Sequence, residues 1–550
     1  PARLLHEFQT DHRHLAWWHL VGAGDEVRPW IFWSVLAITC ALVGLVPLLV
    51  VAALKGRLPA SSGGRLTVVP RTLPRTSRWA TWADLRRLRV HRPRPGAFIL
   101  GQRGRALIAT ERETSLLVIG PTRSGKTSSL VVPNLLDWRG PAIVTSTKNE
   151  LVEITAGHRQ RVGPVFVYDP TGELGEQYRS VTWSPIAGCG ELDHAWMVAS
   201  WLCAGLQQGS SKGDNDWTHW AESGKLLIAP LLYCAVSSGR HSIVDVRNWI
   251  HSFDLTTPMN MLAEMPEADD PSGNSDPQRA IAMLTSVDER PEKERGTVFS
   301  TVMRIFSVFN EKAVAQSAMA SRFQPDEFLD RRGTLYLCTP QQAPERVASL
   351  FVGILMTVVT RAYLKANRCR RGRLDPELGL FLDEVANVVP IEELPAVASQ
   401  GAGRGIVLMS IVQDLSQLRA RYGADRSNSI LNNHVAKMVL PGISDPETCE
   451  LVARLVGRGQ FTDVSVTRQD GKVNRSFSLR QDQIAGPDTL RQLREDTAVV
   501  VYRGRPPTLV RLRPWFRQRT YCRRAATRWL RNADQVARTP PLVSRLRRLA

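Results

Sequence analysis

Two glycines five residues apart, followed at once by lysine and threonine, stand in Gly120-Pro121-Thr122-Arg123-Ser124-Gly125-Lys126-Thr127. Such a segment can turn tightly enough for successive backbone N–H groups to face one anion. Lys126 would reach the β- and γ-phosphates of a nucleotide, and the Thr127 hydroxyl would ligate Mg²⁺. The apolar, β-prone run Thr114–Ile119 leads into the loop, and a helical stretch, Ser128–Leu136, leads out of it. The positive end of that helix would face the same anion. Gly120 through Ser128 are therefore the residues expected to contact ATP.

Splitting a nucleotide needs a second acidic site on a neighbouring strand. Leu378-Gly-Leu-Phe-Leu382 is an apolar run that ends in Asp383-Glu384. Asp383 would hold Mg²⁺ through water, and Glu384 would polarise the attacking water as general base. Gly405-Ile-Val-Leu-Met-Ser-Ile-Val-Gln413 is another buried strand with an amide just past its end. Gln413 either contacts the γ-phosphate or caps a helix. Arg404, just before that strand, either reaches a neighbouring subunit's nucleotide as a finger or is solvated. Lys126, Glu384, Gln413 and Arg404 are the candidate catalytic side chains; Thr127 and Asp383 are the candidate metal ligands.

These groups must be held by a scaffold. Pro141–Ser146, Val165–Tyr168, Thr334–Cys338, Val435–Leu440 and Ala498–Tyr502 read as further strands alternating with helices. That alternation predicts a mostly parallel α/β sheet covered on both faces. More than 160 residues separate the second of these strands from the third. In Trp217–Leu231 the apolar residues recur at helical spacing, with Asn215 or Asp216 placed to cap the start. Roughly 192–309 is read as an all-helical insertion. Its Trp217 and Trp220 either pack in a core or stack on bases.

Charge and hydropathy add a membrane and a polyanion. Pro29–Leu54 carries no charge for 26 residues, enough for a helix to cross a bilayer, with Trp30 and Trp33 at one edge. Residues 55–90 carry Lys55 and eight arginines against Asp84 alone, which keeps the large C-terminal part in the cytoplasm. A second apolar run, Val347–Thr360, is uncharged for only 14 residues and is read as a buried helix. Lys plus Arg number 71 against 52 Asp plus Glu, a net charge of +19. A surplus of this size attracts nucleic acid or anionic lipid. The tail after Trp515 carries ten arginines and one acid, Asp534. The eight cysteines show no metal-ligand or redox spacing, which argues for a reducing compartment and against a disulfide framework or a structural zinc. With 43% hydrophobic and 22% charged residues the chain is not a disordered one.

Taken together these motifs resemble the TraG/TraD-type coupling proteins of conjugative and type IV secretion systems, in the FtsK–HerA group of motors. The resemblance runs over about residues 75–516. It rests on Ser77-Arg-Trp-Ala-Thr-Trp-Ala-Asp-Leu, on Gly120–Thr127 running into Val-Val-Pro133-Asn, and on Thr147-Lys-Asn-Glu-Leu and Val167-Tyr-Asp-Pro170. It rests also on Asp216-Trp-Thr-His-Trp, Leu380-Phe-Leu-Asp-Glu384, Gly403-Arg-Gly-Ile through Val412-Gln413-Asp-Leu-Ser-Gln, Asp445-Pro-Glu-Thr and Gly504-Arg-Pro-Pro.

The resemblance implies a RecA-like motor in a cytoplasmic hexameric ring, with nucleotide between subunits. ATP hydrolysis would drive single-stranded DNA and its attached relaxase into a secretion channel, and the helical domain would recognise the protein substrate. Two features depart from the family. It usually has two spans where one is read here, and an Asp is often found where this chain has Thr145-Ser-Thr-Lys.

The expected organisation is an extracytoplasmic segment at 1–28, a transmembrane helix at 29–54 and a basic entry segment at 55–97. The nucleotide-binding domain follows in two parts, 98–190 and 321–516, around helices at 191–320, and a basic tail closes the chain at 517–550. The competing readings are an FtsK-type pump for double-stranded DNA and an ATP-dependent receptor for protein-only secretion. The Arg-rich tail, in place of a small DNA-reading domain, counts against the first. Intact Lys126, Asp383 and Glu384 count against a non-catalytic scaffold.

Overall fold

The computed structural model describes residues 77–529 apart from 148, 176–177, 179–180, 205–213, 266–274, 339–343 and 470–471. The chain divides between Leu73 and Pro74, and all of these residues fall in the second unit. The expected span at 29–54, the segment before it and residues 530–550 of the tail lie outside the described residues.

The strands are β1 (Arg89–Val90), β2 (Ile99–Arg103), β3 (Ala106–Ala109), β4 (Leu116–Ile119), β5 (Ala142–Ser146), β6 (Val165–Tyr168) and β7 (Thr334–Cys338). They continue with β8 (Leu378–Leu382), β9 (Ile406–Val412), β10 (Ala436–Val439), β11 (Arg458–Gln469), β12 (Lys472–Gln483), β13 (Thr497–Tyr502) and β14 (Thr508–Arg511). A parallel block has the order β10-β4-β9-β8-β5-β7-β6. Beyond β10 the same sheet continues antiparallel through β13, β14, β2, β3 and β1. β11 and β12 form a separate two-stranded ribbon.

Alternate residues of a strand point to opposite faces. In β4, Leu117 and Ile119 join one core while Leu116 and Val118 join another, and all four are buried. Both faces of the sheet are thus covered, which is why its parallel strands read as unbroken apolar runs. In the ribbon, by contrast, Val464, Phe477 and Leu479 are exposed.

The helices that matter below are α1 (Val132–Asp137) and α2 (Glu150–Arg159), after β4 and β5. The helix expected at 128–136 begins differently. Thr127–Val131 form a wider turn in which the Val132 N–H donates to Thr127 O, five residues back. Pro133 has no N–H with which to close the ordinary bond to Ser129, and this favours the wider turn. From α2 the fully buried Arg159 donates to Trp138 O, Gly140 O and Thr334 Oγ1, fixing the loops that lead into β5 and β7.

Between Tyr168 and Thr334 the described residues form helices and loops. They include α3 (Leu192–Ala204), α4 (Asp214–Ser237), α5 (Ile243–Ser252), α6 (Asp276–Asp288) and α7 (Glu292–Phe306). Leu227, Ile228, Leu231 and Leu232 of α4 are buried with Phe299 and Val302 of α7. Trp220 packs against this core, half-buried. Helix α5 starts with a capping box between Ser242 and Asp245.

Helix α8 (Ala348–Arg368) contains the 14-residue uncharged run. By length and composition Glu345–Arg368 is apolar enough to cross a membrane, yet 78% of its apolar window is buried inside this unit. A Cβ on Gly353 would lie 2.6 Å from the Trp183 ring, so the helix is packed hard against its neighbours.

Helix α9 (Leu415–Asn433) is capped by Asp414, which accepts from the Gln417 N–H. It is interrupted at Gly423, whose φ of 73° and ψ of 173° are non-helical. At its end His434 donates through Nδ1 to Ile430 O and accepts from Ser410 Oγ at Nε2. Helix α10 (Pro446–Val456) starts on Asp445. The start of the basic tail is ordered against the sheet unit: in α11 (Arg519–Ala525) Tyr521 is buried and donates to Asp137, and Arg524 pairs with the same carboxylate.

Candidate functional site

Strands β4, β8 and β9 run parallel, so their C-terminal ends lie at one end of the sheet. That geometry gathers the glycine-rich loop after β4, Asp383-Glu384 after β8 and Gln413 after β9. In open α/β sheets this is the end where ligands bind.

The loop is shaped by its neighbours. The Gly120 N–H donates to Val412 O, and the Leu440 N–H donates to Ile119 O, tying the start of the loop to both flanking strands. A Cβ on Gly120 would sit 2.8 Å from the Leu440 Cβ and from Ser124 Oγ, so only glycine fits. Ser124 Oγ donates to Pro121 O across the turn. Arg123 and Gly125 have φ of 63° and 86°. Among the described residues the N–H groups of Gly125, Lys126 and Thr127 have no backbone acceptor. Lys126 is buried, and its ammonium donates to Gly120 O at 3.0 Å. The loop is thus closed on its own lysine, with donors left over for an anion.

The acids stand opposite. Thr127 Oγ1 lies 3.4 Å from Asp383 Oδ2. Burial pushes the Asp383 carboxyl up to about 6, against the pull of Lys126. The backbone at Asp383 is held by Thr145 of β5, whose hydroxyl donates to Asp383 O at 2.9 Å. Glu384 has φ 50° and ψ 48°, the left-handed region that costs an ordinary residue roughly 1–2 kcal/mol. Its N–H donates to Asp383 Oδ1, and its Oε1 accepts from Gln413 Nε2 at 3.2 Å. The Gln413 N–H donates in turn to Gln417 Oε1 on α9.

Among the described residues no group of three or more His, Cys, Asp or Glu side chains could hold a metal alone. A divalent ion placed between Thr127 and Asp383 would take its other ligands from phosphate and water, which is the habit of Mg²⁺. The pair fits that ion.

Of the residues singled out in the sequence, Gly120 through Ser128, Asp383, Glu384 and Gln413 come together. Arg404 does not. It precedes β9, at the end opposite Gln413, and donates to Asn367 Oδ1 at 2.7 Å and to Gly372 O. Three positioning residues were missed: Thr145, Leu440 and Gln417. Gln417 could have been found, since it lies one helical turn after Gln413. Leu440 could not, because nothing in the sequence places β10 beside β4.

A parallel sheet with a glycine-rich phosphate loop at the end of one strand, an acidic pair two strands away and an amide between them defines a RecA-like P-loop motor fold. A family model described as type IV secretory system conjugative DNA transfer matches residues 76–537, and the chain belongs to that family. It is 26% identical over 407 residues to conjugal transfer protein TraG of Escherichia coli, covering 68% of this chain and 61% of that one. It is 25% identical over 455 residues to VirD4 of Agrobacterium fabrum, covering 79% and 65%. The chain thus spans about 60% of the length of the first curated relatives it matches. Among solved structures, the plasmid coupling protein TrwB in complex with the ATP analogue ADPNP superposes with a TM-score of 0.59 at 17% identity, covering 82% of this chain and 97% of TrwB. TrwB has also been solved with ADP and Mg²⁺.

Proposed function

We propose that this protein is a membrane-anchored ATPase that couples ATP hydrolysis to the transfer of single-stranded DNA, with its attached relaxase, into a type IV secretion channel. The observation that carries the reading is the convergence of Lys126, Thr127, Asp383, Glu384 and Gln413 at one end of the sheet. The conjugative DNA transfer family supplies the substrate class. TrwB, bound to ADP with Mg²⁺ and to ADPNP, supports ATP and Mg²⁺ here. The anchor is the uncharged segment 29–54, with the motor on the cytoplasmic side of the bacterial inner membrane.

On nucleotide binding, Lys126 exchanges Gly120 O for the β- and γ-phosphates, and the N–H groups of Gly125, Lys126 and Thr127 face the anion. Thr127 and, through water, Asp383 would hold Mg²⁺, which would neutralise charge on the phosphates. Glu384 accepts the proton of the attacking water, and Gln413 holds the Glu384 carboxylate in place. Arg404, apart from this cluster in its own chain, acts on a neighbouring copy's nucleotide in a homo-hexameric ring. The helical region at 191–320 and the Arg-rich tail at 517–550 meet relaxase, channel and DNA.

The test is ATP hydrolysis by the full chain in lipid nanodiscs, with single-stranded, double-stranded or no DNA, and Lys126→Ala as blank. Stimulation by single strands supports the reading. Stimulation by duplex alone favours a double-stranded pump, and indifference to DNA favours a receptor for protein substrates.

A further inference from the structure

The end of the sheet opposite the nucleotide loop carries a second concentration of charge. A cavity of about 810 Å³ opens there, lined by Arg139, Arg161, Arg331, Arg332, Arg524 and His158. Arg139 lies in the loop before β5, Arg161 before β6, and Arg331 and Arg332 before β7. The strand topology therefore collects these side chains just as the other strand ends collect the nucleotide site.

The carboxylates present are already engaged. Asp137 accepts from Tyr521 and pairs with Arg524, Asp330 pairs with Lys365, and Arg331 pairs with Glu327. Among the described residues Arg139, Arg161 and Arg332 have no ion pair. Beneath the floor, Arg159 is a buried cation held only by two carbonyls and a hydroxyl. His158 Nδ1 is buried with no hydrogen-bond partner. Burial first, then Arg524, Arg159 and Arg161, holds its imidazole down at about 4, so it stays neutral amid positive charge.

We propose that this cavity is a second anion site, which takes a phosphomonoester or diphosphate group on Arg139, Arg161 and Arg332. Arg139, Arg161 and Arg332 are exposed along one cavity without carboxylate partners, and guanidinium groups so placed are suited to phosphate, which accepts paired N–H bonds. The volume suits a small phosphorylated ligand or a lipid headgroup. A lipid source rests on the proposed membrane anchor, whereas a soluble phosphate does not.

The experiment uses the full chain in phosphatidylcholine nanodiscs with saturating ADP and Mg²⁺, so that the glycine-rich loop is filled. Inorganic pyrophosphate, short-chain phosphatidic acid and a short single-stranded oligonucleotide are titrated by calorimetry into wild type, Arg161→Gln and Arg332→Gln. Each substitution should weaken binding about tenfold or more, as loss of a charge-assisted bond predicts. Both variants should keep basal ATP hydrolysis, which shows that they fold and that the two ends are separate. Tighter binding of phosphatidic acid assigns the site to lipid, and tighter binding of pyrophosphate assigns it to a soluble compound. No saturable binding, or binding unchanged in both variants, overturns the proposal. So does a result in which only a single-stranded oligonucleotide loses affinity, since the arginines then serve a nucleic acid path.

Discussion

Glu384 carries the proposed base on a backbone that an ordinary residue resists, and the two properties can be separated by substitution. Replacing it with alanine or glycine removes the same carboxylate and the same bond to Gln413. Only the backbone preference then differs. At φ 50° and ψ 48° an alanine pays roughly 1–2 kcal/mol that glycine does not. Glycine loses about 0.5–1 kcal/mol more on folding through its unfolded-chain freedom. The balance makes Glu384→Gly more stable than Glu384→Ala by about 0.5–1 kcal/mol. In a helix interior the order is reversed by a similar amount. Thermal unfolding of the two purified variants without nucleotide reads the sign, as a difference of roughly 1–2 °C for a unit this large. In parallel, Glu384→Gln should bind nucleotide and lose hydrolysis by about 10²–10⁴-fold, the range for a general base. An alanine variant as stable as the glycine variant would refute stored strain at this position. A Gln variant with wild-type turnover would remove Glu384 from the chemistry.

Lys126→Ala should abolish hydrolysis, measured as phosphate release, and should leave the thermal midpoint nearly unchanged because its one bond is to a loop carbonyl. Gly120→Ala should weaken nucleotide binding more than tenfold, measured by fluorescent-nucleotide titration, because its Cβ would displace Leu440 or Ser124. His434 is held at about 4 by burial, below its ordinary value near 6.5. The folded state prefers it neutral, so its contribution is complete above about pH 6.5 and is lost as pH falls toward 4, at no more than about 1.4 kcal/mol per pH unit. Denaturant unfolding of wild type and His434→Gln between pH 7 and 5 should show a shallower pH slope in the variant.

The parallel block was legible because each of its strands is buried on both faces and must be apolar throughout. Leu378–Leu382 and Ile406–Val412 are the plainest cases, and every residue in them is buried. The chemistry was legible because it requires particular residue types at fixed spacing next to such strands. Of the antiparallel flank only β13 was read, as Ala498–Tyr502. Ile-Leu-Gly-Gln-Arg in β2 and Thr-Leu-Val-Arg in β14 are short, mixed in polarity, and paired with segments hundreds of residues away. In the β11–β12 ribbon Val464, Phe477 and Leu479 are exposed, and no strand was read over 458–483. Neither the neighbours of β4 nor the backbone state of Glu384 has any local signature. Both are imposed by packing across the sheet. Arg404 was read just before a strand and Gln413 just past its end, and the two stand at opposite ends of β9.

The break at Gly423 changes what α9 is mechanically. An unbroken helix of its 19 residues would be a beam about 28 Å long, and movement at one end would swing the other. Instead there are two short rods meeting at one residue, in a backbone state open almost only to glycine. The first rod is about two turns long. Gln417 near its start accepts from Gln413, and Arg421 near its end donates to Ala204 O, the last carbonyl of α3. The second rod is bolted into the sheet through His434 and Ser410. A displacement at Gln413 therefore has a stiff path of about 6 Å along the helix, from Gln417 to Arg421, to the helical region, with a swivel beyond it that spares the sheet from being levered apart.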